Sequence, residues 1–204
     1  MAEEKLGLRE RKKLDTRKAL SDAAFELIFE RGLDNVVRED IAARAGVSVR
    51  TFNNYFNGKF DALAYRQIER IQRTVKVLRA RPADEPIWTA ITAAVLEPLE
   101  NDGLRYAPVP TPGHLAEVRK FATQPEIQGA FFGSEVFGDL IAAIAERTGT
   151  DPVHDLYPRL VVGTVHSAYS AAMHVYIHAD PPMSIIPLLE QAFEAIADGL
   201  PAPR

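Results

Sequence analysis

Apolar residues return with helical spacing along most of the chain, and strand-type alternation is almost absent. From Asp15 to Arg31 they fall at Leu20, Ala23, Ala24, Leu27 and Ile28. This i, i+3, i+4, i+7, i+8 series predicts a helix with one buried face. Gly32 ends it as the residue past the C-cap. A short second helix is expected at about Glu39–Ala45, with Ile41, Ala42 and Ala45 inward. Glu39 and Asp40 suit its positive N-terminal end. Gly46 breaks it, and Ser48 caps a third helix, Val49–Phe56, by accepting the amide of Arg50 or Thr51. Asn57-Gly58 makes a turn. A long fourth helix then runs from about Lys59 toward Ala80, with Leu63, Ile68, Ile71, Val75 and Leu78 in phase.

Pro82 and Pro86 place a domain junction near 81–86. The expected division is a domain over 1–58, a linking helix over about 59–81 and a second domain over 82–204. A fifth helix spans Ile87–Glu100, with Pro98 as a point of bending. Residues 101–113, rich in Pro, Gly, Asn and Asp, read as a loop. Further helices are expected at about 114–123, 126–148, 153–178 and 183–199. The fold class is therefore all-α: an N-terminal three-helix helix-turn-helix domain joined by a long fourth helix to a C-terminal helical bundle.

The segment Glu39–Lys59 reads EDIAARAGVSVRTFNNYFNGK, two short helices about a glycine-containing turn. Phe52 and Phe56, at i and i+4, bury the third helix on a small core that Val47 plugs. The opposite face then presents Val49, Arg50, Asn53 and Asn54 to a major groove. Arg and Asn are the side chains that pair bidentately with guanine and adenine edges. Thr51, Tyr55 and Lys59 suit phosphates, which set register without reading sequence. Arg9, Arg11, Lys12, Lys13 and Lys18 form a basic arm, and Thr16 and Arg17 are favoured for phosphate contact. Ser48 completes the DNA-binding set.

Charge supports this division. The net charge of −4 alone argues against nucleic acid. Residues 1–80, however, carry 17 Lys and Arg against 12 Asp and Glu, while 81–204 carry 7 against 16. A basic third can meet phosphates while the acidic remainder faces away. There is no cysteine, so disulfides and thiolate metal sites are excluded. The charged N-terminus has no signal-peptide core, and no apolar run is long enough to span a bilayer, so a cytoplasmic protein is expected.

The stretch from Thr16 to Leu63 resembles the TetR family of transcriptional regulators. The resemblance rests on Thr16-Arg17, Ala23-Ala24, Leu27, Phe29, Gly32, Asp40-Ile41-Ala42, Ala45-Gly46-Val47-Ser48, Thr51-Phe52, Tyr55-Phe56, Lys59 and Leu63. It implies an all-helical homodimer that binds palindromic double-stranded DNA through its N-terminal domain. It also implies a C-terminal domain that dimerises, often encloses a small-molecule pocket, and releases DNA when the effector binds. Three positions depart from the family pattern. Val37 stands where a capping Thr is usual, Asn53 where a phosphate-binding Tyr is usual, and Phe60 where an acidic residue is usual, with Asp61 one place later.

The C-terminal half carries fewer signals. The run from Asp151 through Tyr157-Pro158-Arg159-Leu160 resembles acyl-CoA-responsive members of the family. One face of the helix over 153–178 reads Val162, His166, Tyr169, Met173 and Tyr176. The neighbouring face reads Gly163, Ser167, Ser170, His174 and His178. The first face, with Trp88, Phe121, Phe131, Phe132 and Phe137, supplies pocket residues or plain core. The second suits close packing of the helices over about 153–178 and 183–199 across a dimer. His174 and His178 are polar dimer or pocket residues in preference to metal ligands, and neither a metal nor a cofactor is expected. No phosphate loop, nucleophile elbow, zincin motif or dinucleotide fingerprint is present, so no catalytic residue is assigned. The expected function is a ligand-responsive DNA-binding regulator, a repressor released by a small apolar or amphipathic effector. The alternative is a helical ligand-binding or interaction protein without specific DNA binding.

Overall fold

The computed structural model describes residues 7–132 and 135–202, and all regular elements among them are helical. In chain order they are α1 (Leu8–Arg31), a 3₁₀ turn (Leu33–Asn35), α2 (Arg38–Arg44), α3 (Val49–Asn53), α4 (Lys59–Ala80), α5 (Ile87–Asn101), α6 (Pro112–Ala122), α7 (Pro125–Phe132), α8 (Val136–Thr148), α9 (Leu156–His178) and α10 (Ile185–Ala197). They form two compact units. The first holds the described residues up to Gln67 with those at 117–132; the second holds 68–116 and the described residues from 135 on.

In the first unit the inward face of α1 is the one its periodicity predicts: Leu20, Ala23, Ala24, Leu27 and Ile28 are all buried. They meet Ile41 and Ala42 of α2, Phe52 of α3 and Ala62 and Leu63 of α4 in one core. Each large side chain contributes about 1.5–3 kcal/mol by leaving water. The buried Ser21 hydroxyl donates to the Ala62 carbonyl at 2.6 Å and fastens α1 to α4. α1 starts at Leu8, earlier than apolar spacing predicts. Its first turns are Arg, Glu, Lys and Leu, good helix formers with no buried face, so periodicity does not reveal them. The basic arm is thus helical, and Arg9, Arg11, Lys12 and Lys13 are exposed on it.

The segment at 117–132 belongs to this unit too. Glu117 accepts the Leu33 amide at 2.7 Å, Lys120 pairs with Asp34 at 3.0 Å, and Phe121 packs edge-on to Phe25. Ile127 is buried in the same core.

The second unit is a bundle in which α10 packs on α5 and α9, and α8 on α9. Ile91, Val95 and Leu99 of α5, Leu140 and Ile144 of α8, and Leu189 and Phe193 of α10 fill its centre. The single helix expected over 126–148 is two, α7 and α8, with 133–134 outside the described residues. Glycines at 129 and 138 weaken a continuous helix there. The expected start at 153 moves to Leu156, because Asp151 folds the preceding residues into a turn, accepting the amides of Val153 and His154.

Arginines brace the second unit. Arg70 and Arg73 of α4 meet Asp102 just past α5, at 2.8 and 2.9 Å. Burial opposes ionisation of Asp102, but hydrogen bonds from Arg73 and Arg70 outweigh it and hold the carboxyl below its usual range. Arg147 caps the α4–α5 connection by donating to the carbonyls of Arg81, Pro82 and Glu85.

Candidate nucleic-acid interface

α2, the turn at Gly46 and α3 form the helix-turn-helix. Gly46 has φ +69°, a left-handed conformation that a side chain resists. The turn closes through Gly46 N–H to Ala43 and Val47 N–H to Ala42, at 3.1 and 2.9 Å. Ser48 caps α3 as expected, its hydroxyl accepting the Thr51 amide at 3.1 Å and lying 2.9 Å from the Thr51 hydroxyl. Val37 gives α2 no side-chain cap. Hydrogen bonding to its own backbone amide first, and to Arg38 second, holds the Glu39 carboxyl below its usual range in the first turn of α2.

Phe52 and Phe56 are buried and pack ring to ring, centroids 5.9 Å apart. α3 ends at Asn53, sooner than the expected Phe56. Its last turn tightens: Asn54 N–H is shared between Arg50 and Thr51, and Tyr55 N–H bonds Phe52. Phe56 N–H still reaches Phe52, so both rings stay on one face. The opposite face exposes Arg50, Asn53 and Asn54. Val49 does not stand fully on it; it is half-buried and packs against the core. Thr51 and Tyr55 are half-buried at its edges.

Three other members of the expected DNA-binding set are already engaged. Thr16 donates its hydroxyl to the Lys12 carbonyl at 2.8 Å. The Arg17 guanidinium lies 4.5 Å from the Tyr65 ring centroid and 5.4 Å from that of Phe56. This cation–π seat fixes its direction and leaves it without a carboxylate among the described residues. Lys59 donates to the carbonyls of Leu33 and Val36, at 2.8 and 3.0 Å. Glu117 grips the same turn from its amide side, and the Leu33 amide lowers that carboxyl's pKa. Apolar periodicity carries no sign of this clamp. The Asp61 carboxylate, displaced by Phe60, takes the Asn57 amide at 3.1 Å and so ties the turn before α4 to its first turn.

Other charges around the motif are paired. Arg44 forks onto Glu30 at 2.5 Å and reaches Glu26 at 3.2 Å, holding α2 against α1 and lowering the Glu30 pKa. Arg66 meets Asp22 at 3.1 Å and stacks on Phe25. Arg50 has no such partner among the described residues.

The aromatic set expected for a pocket is dispersed. Phe121 packs in the first unit. The Phe131 and Phe132 side chains lie outside the described ones. Trp88 lies in a cleft between α5 and α10. Phe137 and His166 meet ring to ring, at 6.2 Å. Tyr169 sits on the same inward face of α9, its phenol pushed up by burial, and Met173 is half-buried one turn on. The nearby bundle centre holds an enclosed void of about 10 Å³ lined by Thr74, Leu78, Ile91, Leu140, Val162 and their neighbours. The second α9 face, from Gly163 through Ser167, Ser170 and His174 to His178, is exposed. His174 and His178 stack at 4.5 Å, and His178 Nδ1 is engaged with the His174 carbonyl.

A helix-turn-helix seated on its own small core, with an exposed polar outer face, defines a DNA-binding transcriptional regulator. Comparison with known proteins gives the family. Residues 20–63 match the model for bacterial regulatory proteins of the tetR family, and residues 85–201 match an MftR C-terminal domain model. The chain is 30% identical over 200 residues to the HTH-type transcriptional regulator TcmR of Streptomyces glaucescens, covering 95% of this chain and 86% of that one. The chain belongs to the TetR family. Its fold is similar to that of the fatty acid degradation regulator FadR from Bacillus halodurans (TM-score 0.59, 18% identity, 92% of this chain and 97% of that one). It is likewise similar to Thermus thermophilus FadR, a TetR-family repressor solved with lauroyl-CoA (TM-score 0.58, 21% identity, 92% and 96%). Among the described residues no helix is long and apolar enough to cross a membrane.

Proposed function

We propose that this regulator binds a palindromic operator as a homodimer in the bacterial cytoplasm, and that a small apolar or amphipathic effector releases it. The observation that carries the DNA half is the outer face of α3. Arg50, Asn53 and Asn54 are exposed there and their side chains have no partner among the described residues, while Arg44, Arg66 and Lys59 around it are tied down. In this reading Arg50, Asn53 and Asn54 address base edges. Ser48, Val49, Thr51 and Tyr55 form the rim of the contact, and Thr16 and Arg17 approach phosphates from α1. Dimerisation uses the exposed small-residue face of α9 together with α10. Two recognition helices then meet grooves about 34 Å apart or a multiple of it.

The effector site is the seam of α4, α5, α8 and α9 around the central void, and Phe137, His166, Tyr169 and Met173 are its candidate walls once the seam opens. At about 10 Å³ the void is near the size of one water, so the effector must part the helices to enter. That displacement of α4 is what shifts the population away from DNA. The neutral, apolar lining favours an acyl or aromatic group.

Selection of bound DNA from a random pool, followed by anisotropy titration, tests the reading. A two-fold-symmetric site should enrich, and Arg50→Ala should weaken it by about 1–3 kcal/mol while sparing non-specific DNA. Equal loss on every sequence would make Arg50 a phosphate contact. Failure of any site to enrich would favour a helical ligand-binding protein without specific DNA recognition.

A further inference from the structure

Two arginines of the first unit lie over aromatic rings, and they differ in one respect. Arg66 stacks on Phe25 at 4.5 Å and also meets the Asp22 carboxylate at 3.1 Å, so its charge is balanced within the fold. Arg17 lies 4.5 Å from the Tyr65 ring centroid and 5.4 Å from that of Phe56. Those two rings are buried and pack edge to face, 5.8 Å apart. The Arg17 Nε is buried with them and has no hydrogen-bond acceptor among the described residues. No carboxylate among them reaches the guanidinium either. A cation drawn partly out of water and left without an anion is costly. Arg17 nevertheless remains half-buried, its flat fork of donors fixed in direction by the two rings. What is missing is an anion from outside the fold. Phe56 closes the turn that follows α3, so this anion belongs at the edge of the reading head.

We infer that Tyr65 is a positioning residue for DNA binding: with Phe56 it holds the Arg17 guanidinium where a backbone phosphodiester of duplex DNA completes it. This rests on the DNA-binding reading above and adds what holds one of its contacts. Arg17 stands in α1 and Tyr65 in α4, while Phe56 seats α3. One aromatic support therefore carries both the recognition helix and the phosphate contact, which keeps the two in register. Because the rings restrict the side chain beforehand, less rotamer freedom is lost when the phosphate arrives.

The full chain is titrated into a labelled duplex of mixed sequence over a range of salt concentrations, so that no operator is needed. Arg17→Gln should weaken binding about tenfold at low salt and lower the slope of log affinity against log salt by about one per protomer. Tyr65→Leu keeps apolar bulk and removes the π face; it should weaken binding about threefold and shift the slope in the same direction. Tyr65→Phe keeps the face and should match the parent. In the Tyr65→Leu background, Arg17→Gln should cost only about threefold, because the pair acts as a unit. Arg66→Gln should leave the slope unchanged. Melting temperature is read on every variant. A purely structural Tyr65 would lower it and leave the slope at the parental value, which overturns the inference. So does an unchanged slope in Arg17→Gln, an equal loss in Tyr65→Phe and Tyr65→Leu, or full additivity of the pair. If Tyr65→Leu does not fold, Arg17→Lys decides, since it keeps the charge without the flat face. About threefold weaker binding with a near-parental slope supports the seat, and parental affinity overturns it. A parent that binds no duplex at any salt overturns the DNA-binding reading and this inference together; a parent that binds while the Arg17→Gln slope stays parental overturns this inference alone.

Discussion

The two units use their charged side chains in opposite ways. Around α3, Arg44, Arg66 and Lys59 are tied to carboxylates or carbonyls, which leaves one polar face open. In the second unit, arginines lock helices to one another: Arg70 and Arg73 to Asp102, Arg79 to Glu146, and Arg147 to the α4–α5 connection. Its apolar centre is closed. The first unit thus displays its chemistry on a surface that exists before any partner arrives. In the function proposed above an effector opens the second, and its braces set how hard that is. This is the division of labour expected of a reader coupled to a sensor.

The contrast breaks most directly at Phe52, which is fully buried between α1 and α2. Phe52→Ala should cost about 3–5 kcal/mol, lower the melting temperature and abolish DNA binding. The second unit should keep its helical signal and its Trp88 emission. A variant that melts as a whole in one transition would show that the two cores are not independently stable.

Asp102 tests the other side. Asp102→Asn leaves two guanidiniums facing a neutral amide. Arg73 keeps part of its head in water, so the loss is below that of a fully buried pair, about 2 kcal/mol. The sign with pH follows from the depressed carboxyl. Its contribution is complete above the unfolded value, near 3.8, and is lost as pH falls from there through the folded value. Acid unfolding of the parent should show this component, and Asp102→Asn should lack it. Equal acid sensitivity of the two proteins would mean that the brace contributes nothing.

What the sequence shows follows the same contrast. The α1 face, the Gly46 turn, the Ser48 cap and the burial of Phe52 and Phe56 were legible because each rests on a local rule of spacing or backbone conformation. The early start of α1 was not, because a helix without a buried face has no apolar period. Lys59 was legible as a cation near the reading head, but its partners lie 23 and 26 residues away, a separation that no local pattern encodes. The placement of the aromatic residues in the C-terminal half is hidden from local pattern in the same way. Phe121, Trp88 and Phe137 are alike as letters, and only packing sends them to three different places.

Lys59 gives the finest test of the comparison. By type and position it suits a phosphate, yet its ammonium holds the carbonyls of Leu33 and Val36 while Glu117 holds the Leu33 amide. If the clamp is its task, Lys59→Met should loosen the turn before α2, costing about 1–2 kcal/mol of stability. DNA affinity would fall through misplacement of α3, with the slope of log affinity against log salt unchanged. Loss of a phosphate contact would instead lower that slope by about one on every sequence and leave thermal stability intact. Glu117→Gln separates the two further. It removes charge from the same turn without removing a cation, so it should mimic the stability loss of Lys59→Met in part and leave the salt slope alone. A Lys59→Met protein with parental stability and a shallower slope would move Lys59 from the scaffold to the DNA-binding surface.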